Sequence, residues 1–129
     1  MCLLSASNAT HVPPDIVMSI IMVEGGRAGV VSNNKDSSQD LGVMQINTKA
    51  WLHLISDRLY DGNDDIAYNT LKDNACLNIK IGTWILSRAI REANGDIWSG
   101  VGIYHSHNKR LSQAYMQRVK SVHYKLFIE

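Results

Sequence analysis

The stretch PPDIVMSIIMVEGG, residues 13–26, decides the fold, because it predicts a buried helix that ends on an acidic side chain. Proline and aspartate suit the first turn of a helix, where backbone N–H groups lack partners and the helix dipole is positive. Isoleucine and valine then recur on several sides, which is typical of a helix packed deeply in a core. Gly25 and Gly26 end the predicted helix, so Glu24 is its last residue.

Glu24 is a candidate general acid because of this position. A side chain that protonates a leaving oxygen must hold its proton near neutral pH, which requires an apolar and partly desolvated site. The apolar helix supplies such neighbours, and the carboxyl end of a helix disfavours a negative charge, so we expect a raised pKa. The alternative is that Glu24 is an ordinary solvated residue at a helix end.

A second feature, DLGVMQIN at residues 40–47, follows this helix. Gly42 allows the backbone to approach a bulky polar polymer closely. Apolar and polar side chains alternate along the rest of the motif, which predicts a short strand with Gln45 on one face. Because Gly, Ser, Asn and Asp are frequent upstream, we expect a small β-hairpin near residues 30–47. The alternative is a hairpin whose polar face is merely solvated.

The remaining pattern predicts a mainly α protein of the α+β class, in a single domain over residues 1–129. The longest predicted helix has apolar residues at i, i+3 and i+7 from Cys76 to Ala93, and Asn94 and Gly95 then signal its end. The other predicted elements are a helix capped by Thr48, a polar surface loop over residues 60–74, a short helix over residues 97–104 and a final helix over residues 111–126.

Composition and charge exclude several classes of protein. The 129 residues are 45% hydrophobic and 19% charged, as in a soluble globular protein, and the net charge of +1 argues against nucleic-acid binding. No run of about 18 apolar residues occurs, so no membrane span is predicted. The sequence has no cluster of Cys and His, so no metal and no other cofactor is expected. The N-terminus lacks a signal peptide, so the chain is either cytosolic or a processed, mature form.

Cys2 and Cys76 are the only cysteines, and the residues alone leave two alternatives open. They are buried thiols of a cytosolic protein, or they form a disulfide that holds the N-terminus and closes a long loop. Such a disulfide would stabilise the fold by roughly 2–4 kcal/mol and would require an oxidising compartment.

Three short motifs together resemble a known family. Glu24-Gly25, the sequence GVMQ at residues 42–45, and Tyr104-His105 occur in that order along nearly the whole chain. Family-one lytic transglycosylases, which are lysozyme-like muramidases, carry Glu-Ser, Gly-Leu-Met-Gln and a Tyr-Asn pair at similar spacing. The resemblance implies a lysozyme-like fold. It also implies cleavage of the β-1,4 bond between N-acetylmuramic acid and N-acetylglucosamine in peptidoglycan, with formation of a 1,6-anhydro ring.

The resemblance also assigns the site residues, with two departures from the family pattern. Glu24 takes the place of the catalytic acid, but Gly25 lacks the hydroxyl of the usual serine. His105 replaces the usual asparagine and is expected to act as an amide substitute or to add pH dependence; the alternative for His105 is a solvated surface residue. The expected contacts to glycan strands come from Asn34, Gly42, Met44, Gln45, Asn47, Tyr104 and His105.

Asp40 suggests a second catalytic carboxylate. Residues 34–47 resemble the active-site hairpin of animal c-type lysozymes, in which Asp40 falls on the second catalytic acid and Asn34 on a nearby asparagine. Most family-one transglycosylases have no such acid and use the N-acetyl group of the substrate instead. We expect Asp40 to stabilise the oxocarbenium-like centre, with Asp36 as a weaker candidate. The alternatives are that Asp40 caps a turn, or that it makes the protein a true lysozyme-type hydrolase.

A narrower resemblance lies in CLNIKIGTWIL at residues 76–86, which is similar to small transglycosylases of secretion, conjugation and pilus systems. In those relatives the cysteine pairs with one near the mature N-terminus, a place that Cys2 occupies. The resemblance implies a disulfide between Cys2 and Cys76, a periplasmic monomer whose signal peptide is not in this chain, and a secretion-apparatus component as partner. The rival hypotheses are a non-catalytic peptidoglycan-binding module and a cytosolic helical interaction protein.

Overall fold

The computed structural model describes residues 2–129, which form seven α-helices and one small antiparallel sheet. The mainly α, α+β class predicted from the sequence is therefore confirmed, and the fold is consistent with a lysozyme-like domain. In chain order the elements are α1 (Cys2–Thr10), α2 (Pro14–Glu24), β1 (Val31–Asn33), β2 (Gln39–Leu41), β3 (Ile46–Asn47), α3 (Thr48–Leu59), α4 (Asp64–Asp73), α5 (Ala75–Glu92), α6 (Ile97–His105) and α7 (Lys109–Phe127).

The chain divides into two compact units. We call residues 2–23 together with residues 80–129 the helical unit, and residues 24–79 the sheet unit. The core of the helical unit consists of side chains that are at most 1% exposed, namely Val17, Ile20, Leu86, Val101, Tyr115 and Val119. At its surface, the Nε2 atom of His123 on α7 lies 2.7 Å from the Oδ2 atom of Asp15 in the first turn of α2.

The sheet unit is built on three short strands in the order β1-β2-β3, each antiparallel to its neighbour. In this register Asp40 lies opposite Asn47, and Leu41 lies opposite Ile46. Leu41 and Ile46 are buried together with the nearby Leu71. The alternation of side chains along β2 therefore places Leu41 in the core and Asp40 on the opposite face of the sheet.

Two expectations about local structure were wrong. Residues 60–74 are not a loop throughout, because α4 begins after an Asn63 cap and buries Ala67 and Leu71. Only two of the ten residues of α4 are buried, so its apolar periodicity is too weak to predict a helix. The cap of α3 is Asn47, whose side chain accepts the Ala50 N–H, whereas Thr48 is already helical. Helix α1, which precedes the first predicted helix, was missed.

The expected disulfide is present, since Cys2 and Cys76 are both disulfide-bonded. Closing a loop of this length removes many conformations from the unfolded chain, an effect worth about 4 kcal/mol in the chain-entropy model. Within residues 2–129, no helix combines the length and the apolar character needed to cross a membrane.

Candidate active site

Glu24 lies where the sequence predicted it, at the last position of α2. Its side chain is half-buried, and the last turn of α2 contains no basic residue. Unpartnered carbonyl groups point out of this end of a helix and disfavour a negative charge nearby. Gly25 follows with φ +65°, so the chain leaves the helix in the left-handed conformation that glycine adopts most easily.

Gly26 joins the end of α2 to the second motif. A Cβ atom at Gly26 would lie 2.1 Å from the carbonyl oxygen of Gly42 and 2.7 Å from that of Val43. Backbone therefore packs directly on backbone two residues after Glu24, and only glycine fits there. From the sequence alone, Gly26 is predicted only to end the helix, because a close approach between distant residues leaves no local pattern.

The second motif is a turn, and the strand expected over residues 43–46 is reduced to β3. Gly42 has φ +71° and Gln45 has φ +54°, which interrupts the alternation of a strand. The backbone N–H of Gln45 donates to the Gly42 carbonyl at 3.2 Å, and the side-chain Nε2 of Gln45 donates to the same oxygen at 3.0 Å. The amide of Gln45 therefore helps to hold the turn that carries it.

The side chain of Asn78 on α5 anchors the turn at residues 42–45 through buried hydrogen bonds. Its Oδ1 accepts the N–H of Met44 at 2.8 Å, and its Nδ2 donates to the carbonyls of Leu41 and Leu71, both at 2.8 Å. Asn78 and Met44 are both 0% exposed. The side chain of Met44 therefore belongs to the core. Asn78 was not among the expected site residues, although an asparagine in an apolar helical stripe is a usable signal of a buried side chain with hydrogen-bond partners.

The carboxylate of Asp40 is held by Asn47, its partner across the sheet. The Nδ2 of Asn47 donates to Oδ1 of Asp40 at 2.9 Å and lies 3.0 Å from Oγ of Ser38. The Oδ1 of Asn47 accepts the N–H of Ala50 at 3.0 Å as the cap of α3. Because the helix occupies the oxygen end of the amide, the nitrogen end must face Asp40. Asp40 lies in β2 and so is not the turn cap considered as an alternative.

Ser38 connects the other polar residues of this loop. Its hydroxyl donates to Oδ1 of Asp36 at 2.5 Å and accepts from Nδ2 of Asn34 at 3.0 Å. The backbone N–H of Ser38 also donates to Asp36 at 3.0 Å. These hydrogen bonds from Ser38 hold the pKa of Asp36 below its usual 3.8. Asn34, Asn47 and the two aspartates thus belong to one connected network through Ser38, a buried residue that the sequence pattern did not single out.

Tyr104 and His105 lie on α6 in the helical unit, whereas the other predicted site residues lie in the sheet unit. The exposed His105 ring stacks on Tyr115 with 4.5 Å between centroids and an interplanar angle of 6°. The Tyr104 ring lies 6.5 Å from the same Tyr115. Tyr115 is 1% exposed, so the rings of Tyr104 and His105 both lie against a residue of the core.

The described residues, 2–129, contain no group of three or more His, Cys, Asp or Glu side chains suited to holding a metal ion.

Comparison with known proteins identifies the class that this fold and these residues define. The family model for the transglycosylase SLT domain matches residues 1–127, and the chain therefore belongs to the SLT transglycosylase domain family. Members of this family are lytic transglycosylases, so the membership predicted from the three motifs is confirmed.

Particular relatives add detail. The chain is 31% identical over 113 residues to a "Peptidoglycan-binding-like protein" of Escherichia coli O157:H7, covering 81% of this chain and 63% of that protein. It is 29% identical over 106 residues to the "Invasion protein IagB" of Salmonella typhimurium, covering 81% and 61%, and matches the protein of that name from Salmonella typhi equally. These relatives support the predicted secretion-associated subgroup. The chain spans less than two thirds of their length.

Proposed function

We propose that this protein is a peptidoglycan lytic transglycosylase that cleaves the bond between N-acetylmuramic acid and N-acetylglucosamine and forms a 1,6-anhydro ring. The observation that carries the proposal is the close backbone packing of Gly26 on the Gly42 turn. It joins the helix end that bears Glu24 to the motif that bears Gln45 and Asp40. An acid, a second carboxylate and amide groups are the parts that glycosidic cleavage uses.

In the proposed first step, Glu24 donates its proton to the glycosidic oxygen while the bond from that oxygen to C1 breaks. The electron pair of this bond leaves with the departing sugar, and C1 gains oxocarbenium character. Placement at the carboxyl end of α2 supports this role, because the helix dipole there favours the neutral form of the acid.

In the proposed second step, the Glu24 carboxylate removes the proton from the C6 hydroxyl, and O6 bonds to C1. This closes the anhydro ring and returns Glu24 to its protonated form, so no water and no cofactor is consumed. One group serves as acid and then as base.

Asp40 stabilises the positive charge between these steps. Asn47 donates to one carboxylate oxygen of Asp40 at 2.9 Å, which fixes the orientation of the negative charge on the sheet. A preorganised charge stabilises a transition state without rearranging during the reaction. The acetamido oxygen of the substrate is the other group able to act at C1.

The second candidate function is that of a lysozyme-type hydrolase. The observation that favours this candidate is the ordered carboxylate of Asp40, because such a hydrolase uses a second acid. In that case water attacks C1, and the product is a reducing sugar. Mass spectrometry of digested sacculi separates the two: anhydro ends support transglycosylation, whereas reducing ends assign hydrolysis.

Glu24→Gln is the direct test of catalysis. The amide cannot donate an acidic proton, so we expect turnover of sacculi to fall at least about 100-fold, the lower bound for general acid catalysis. The matched control is Glu92→Gln, which alters an exposed glutamate paired with His107 at 2.8 Å. Full activity of Glu24→Gln would remove Glu24 from the mechanism, and inactivity of the unmodified protein on every glycan substrate would favour a binding module.

The cellular role that we propose is local opening of the cell wall by a periplasmic monomer during assembly of a secretion or conjugation apparatus. The disulfide supports a compartment outside the reducing cytoplasm, and the relatives named invasion protein IagB support the link to such an apparatus. Thiol titration after denaturation without reductant tests the compartment, because two free thiols in protein isolated from cells would favour the cytosol.

A further inference from the structure

Charge is divided unevenly between the two units. The helical unit has eight Lys or Arg against four Asp or Glu, whereas the sheet unit has five against eight. Much of the excess lies on α7, which has five basic residues and no acidic residue from Lys109 to Phe127. All five are exposed, and within the part of the chain that the structure describes none of them pairs with a carboxylate.

The stability of α7 does not account for the two basic residues at its start. Lys109 and Arg110 occupy the first turn, which contains no acidic residue. The positive end of the helix dipole favours acidic residues in that turn and disfavours basic ones. These two side chains therefore slightly weaken the helix that carries them, and a ligand of opposite charge is a physical reason for their presence.

The helical unit also has an open pocket of about 400 Å³ along the same helix. Gln117, Lys120, Ser121 and Tyr124 line it from one face of α7, and Trp98 lines it from α6. The Nζ atom of Lys120 lies 5.5 Å from the centroid of the Trp98 ring, so its positive charge makes a cation–π contact with the indole. Tyr124 is 53% exposed. Hydrogen-bonding, cationic and aromatic groups thus meet at one place.

Lys109 extends this surface along the helix. It precedes Lys120 by eleven residues, or three turns, so it lies on the same face roughly 16 Å away. A single small anion would meet only one of the two ammonium groups. An extended ligand with carboxylates repeated along its length would meet both. We call Lys109, Gln117, Lys120, Ser121 and Tyr124, together with Trp98, the α7 basic face.

We propose that the α7 basic face binds the acidic stem peptides of peptidoglycan, as a second contact with the wall polymer. The inference rests on the proposed function for the choice of polymer. The glycan backbone offers hydroxyl and amide groups, whereas the stem peptides carry free carboxylates, which match unpaired lysines. The amide of Gln117 and the hydroxyl of Ser121 can hydrogen-bond to peptide amides and carboxylates. These neutral groups would contribute less to binding a lipid surface, so they favour a peptide as the ligand.

Sedimentation with intact sacculi tests this binding. The Glu24→Gln background prevents digestion during the assay. The test variant is Lys109→Gln/Lys120→Gln, and the control is Arg58→Gln/Lys80→Gln, which removes the same charge from exposed positions outside α7. We expect the α7 variant to bind sacculi about fivefold more weakly, the loss expected for two exposed ionic contacts. The difference should shrink as salt rises.

The decisive comparison uses glycan strands that an amidase has stripped of stem peptides. The lactyl carboxylates that this hydrolysis frees on the sugar are first converted to amides with a carbodiimide and ammonia, so that the strands carry no carboxylate. We expect the α7 variant and the control to bind these strands equally and, with Glu24 restored, to cleave them equally. Equal binding to intact sacculi would overturn the inference. A loss that persists on stripped strands would assign the face to sugar, and selective loss of binding to phosphatidylglycerol vesicles would assign it to a membrane; each result overturns the stem-peptide assignment. Failure of the proposed function appears separately, as absent cleavage of stripped strands.

Discussion

Asn78→Ala should be among the most damaging single substitutions in the sheet unit. Asn78 is 0% exposed and makes three hydrogen bonds of 2.8 Å to backbone groups of Met44, Leu41 and Leu71. Removing the amide leaves one N–H and two carbonyls buried without their partner. At about 1–3 kcal/mol for each unsatisfied group, and with partial relief from entering water, we expect a loss of roughly 4 kcal/mol in the free energy of unfolding. That is a large part of the roughly 5–15 kcal/mol typical of a domain.

Urea denaturation of the oxidised protein measures this loss. The control is Asn74→Ala, which removes a single exposed cap bond of 3.0 Å to the N–H of Leu77 and should cost about 1 kcal/mol. Asn78→Asp separates the two kinds of bond, because a carboxylate still accepts from Met44 but cannot donate to either carbonyl. We expect it to restore little stability. If Asn78→Ala lost no more than Asn74→Ala, the reasoning that Asn78 anchors the turn would be refuted.

Three further predictions concern Gly26, the hydrogen bonds of Ser38, and the disulfide. Gly26→Ala should lower the free energy of unfolding by about 3 kcal/mol in urea titrations and reduce activity on sacculi, because its Cβ would lie 2.1 Å from the Gly42 carbonyl oxygen. Gly25→Ala, with open space around it, should cost only about 1 kcal/mol. Ser38→Ala should destabilise at pH 7 and less so at pH 3: the lowered pKa of Asp36 means that its hydrogen bonds stabilise above its usual pKa of 3.8 and are lost as pH falls through the folded value. An unchanged difference between wild type and variant would contradict this. Reduction of the disulfide should lower the midpoint of urea unfolding, by an amount that corresponds to about 4 kcal/mol; no shift on adding dithiothreitol would argue against a stabilising cross-link.

Sequence periodicity predicted the elements that are rich in buried apolar residues. Helix α2 has four buried residues in eleven and ends at Glu24 as expected. Helix α4 is a different case, because its acidic first turn and exposed Ile66 resemble a polar loop. Its helical state depends on the Asn63 cap and on burial of Leu71. The spacing of hydrophobic residues alone does not indicate the contribution of the cap.

The chemical groups of the candidate site can be proposed from the sequence, but the contacts that position them cannot. Glu24, Asp40 and Asn47 could be chosen by residue type and by resemblance. Gly26 packs on Gly42, 16 positions away, and two of the three hydrogen bonds of Asn78 reach residues 34 and 37 positions away. Such pairs depend on how the chain folds back on itself, and a single sequence gives no direct signal for them.

The position of Asp40 shows how the fold, and not the aspartate alone, fixes the orientation of a candidate second carboxylate. Asn47 can donate to Asp40 because the strand register places the two residues opposite each other. The Ala50 N–H of α3 takes the oxygen end of the Asn47 amide, and Ser38 lies 3.0 Å from the nitrogen end. A helix start, a strand pair and a buried hydroxyl thus fix one amide. An aspartate introduced at this place in a related chain without the asparagine and the serine would lack that constraint, so its charge would be poorly ordered.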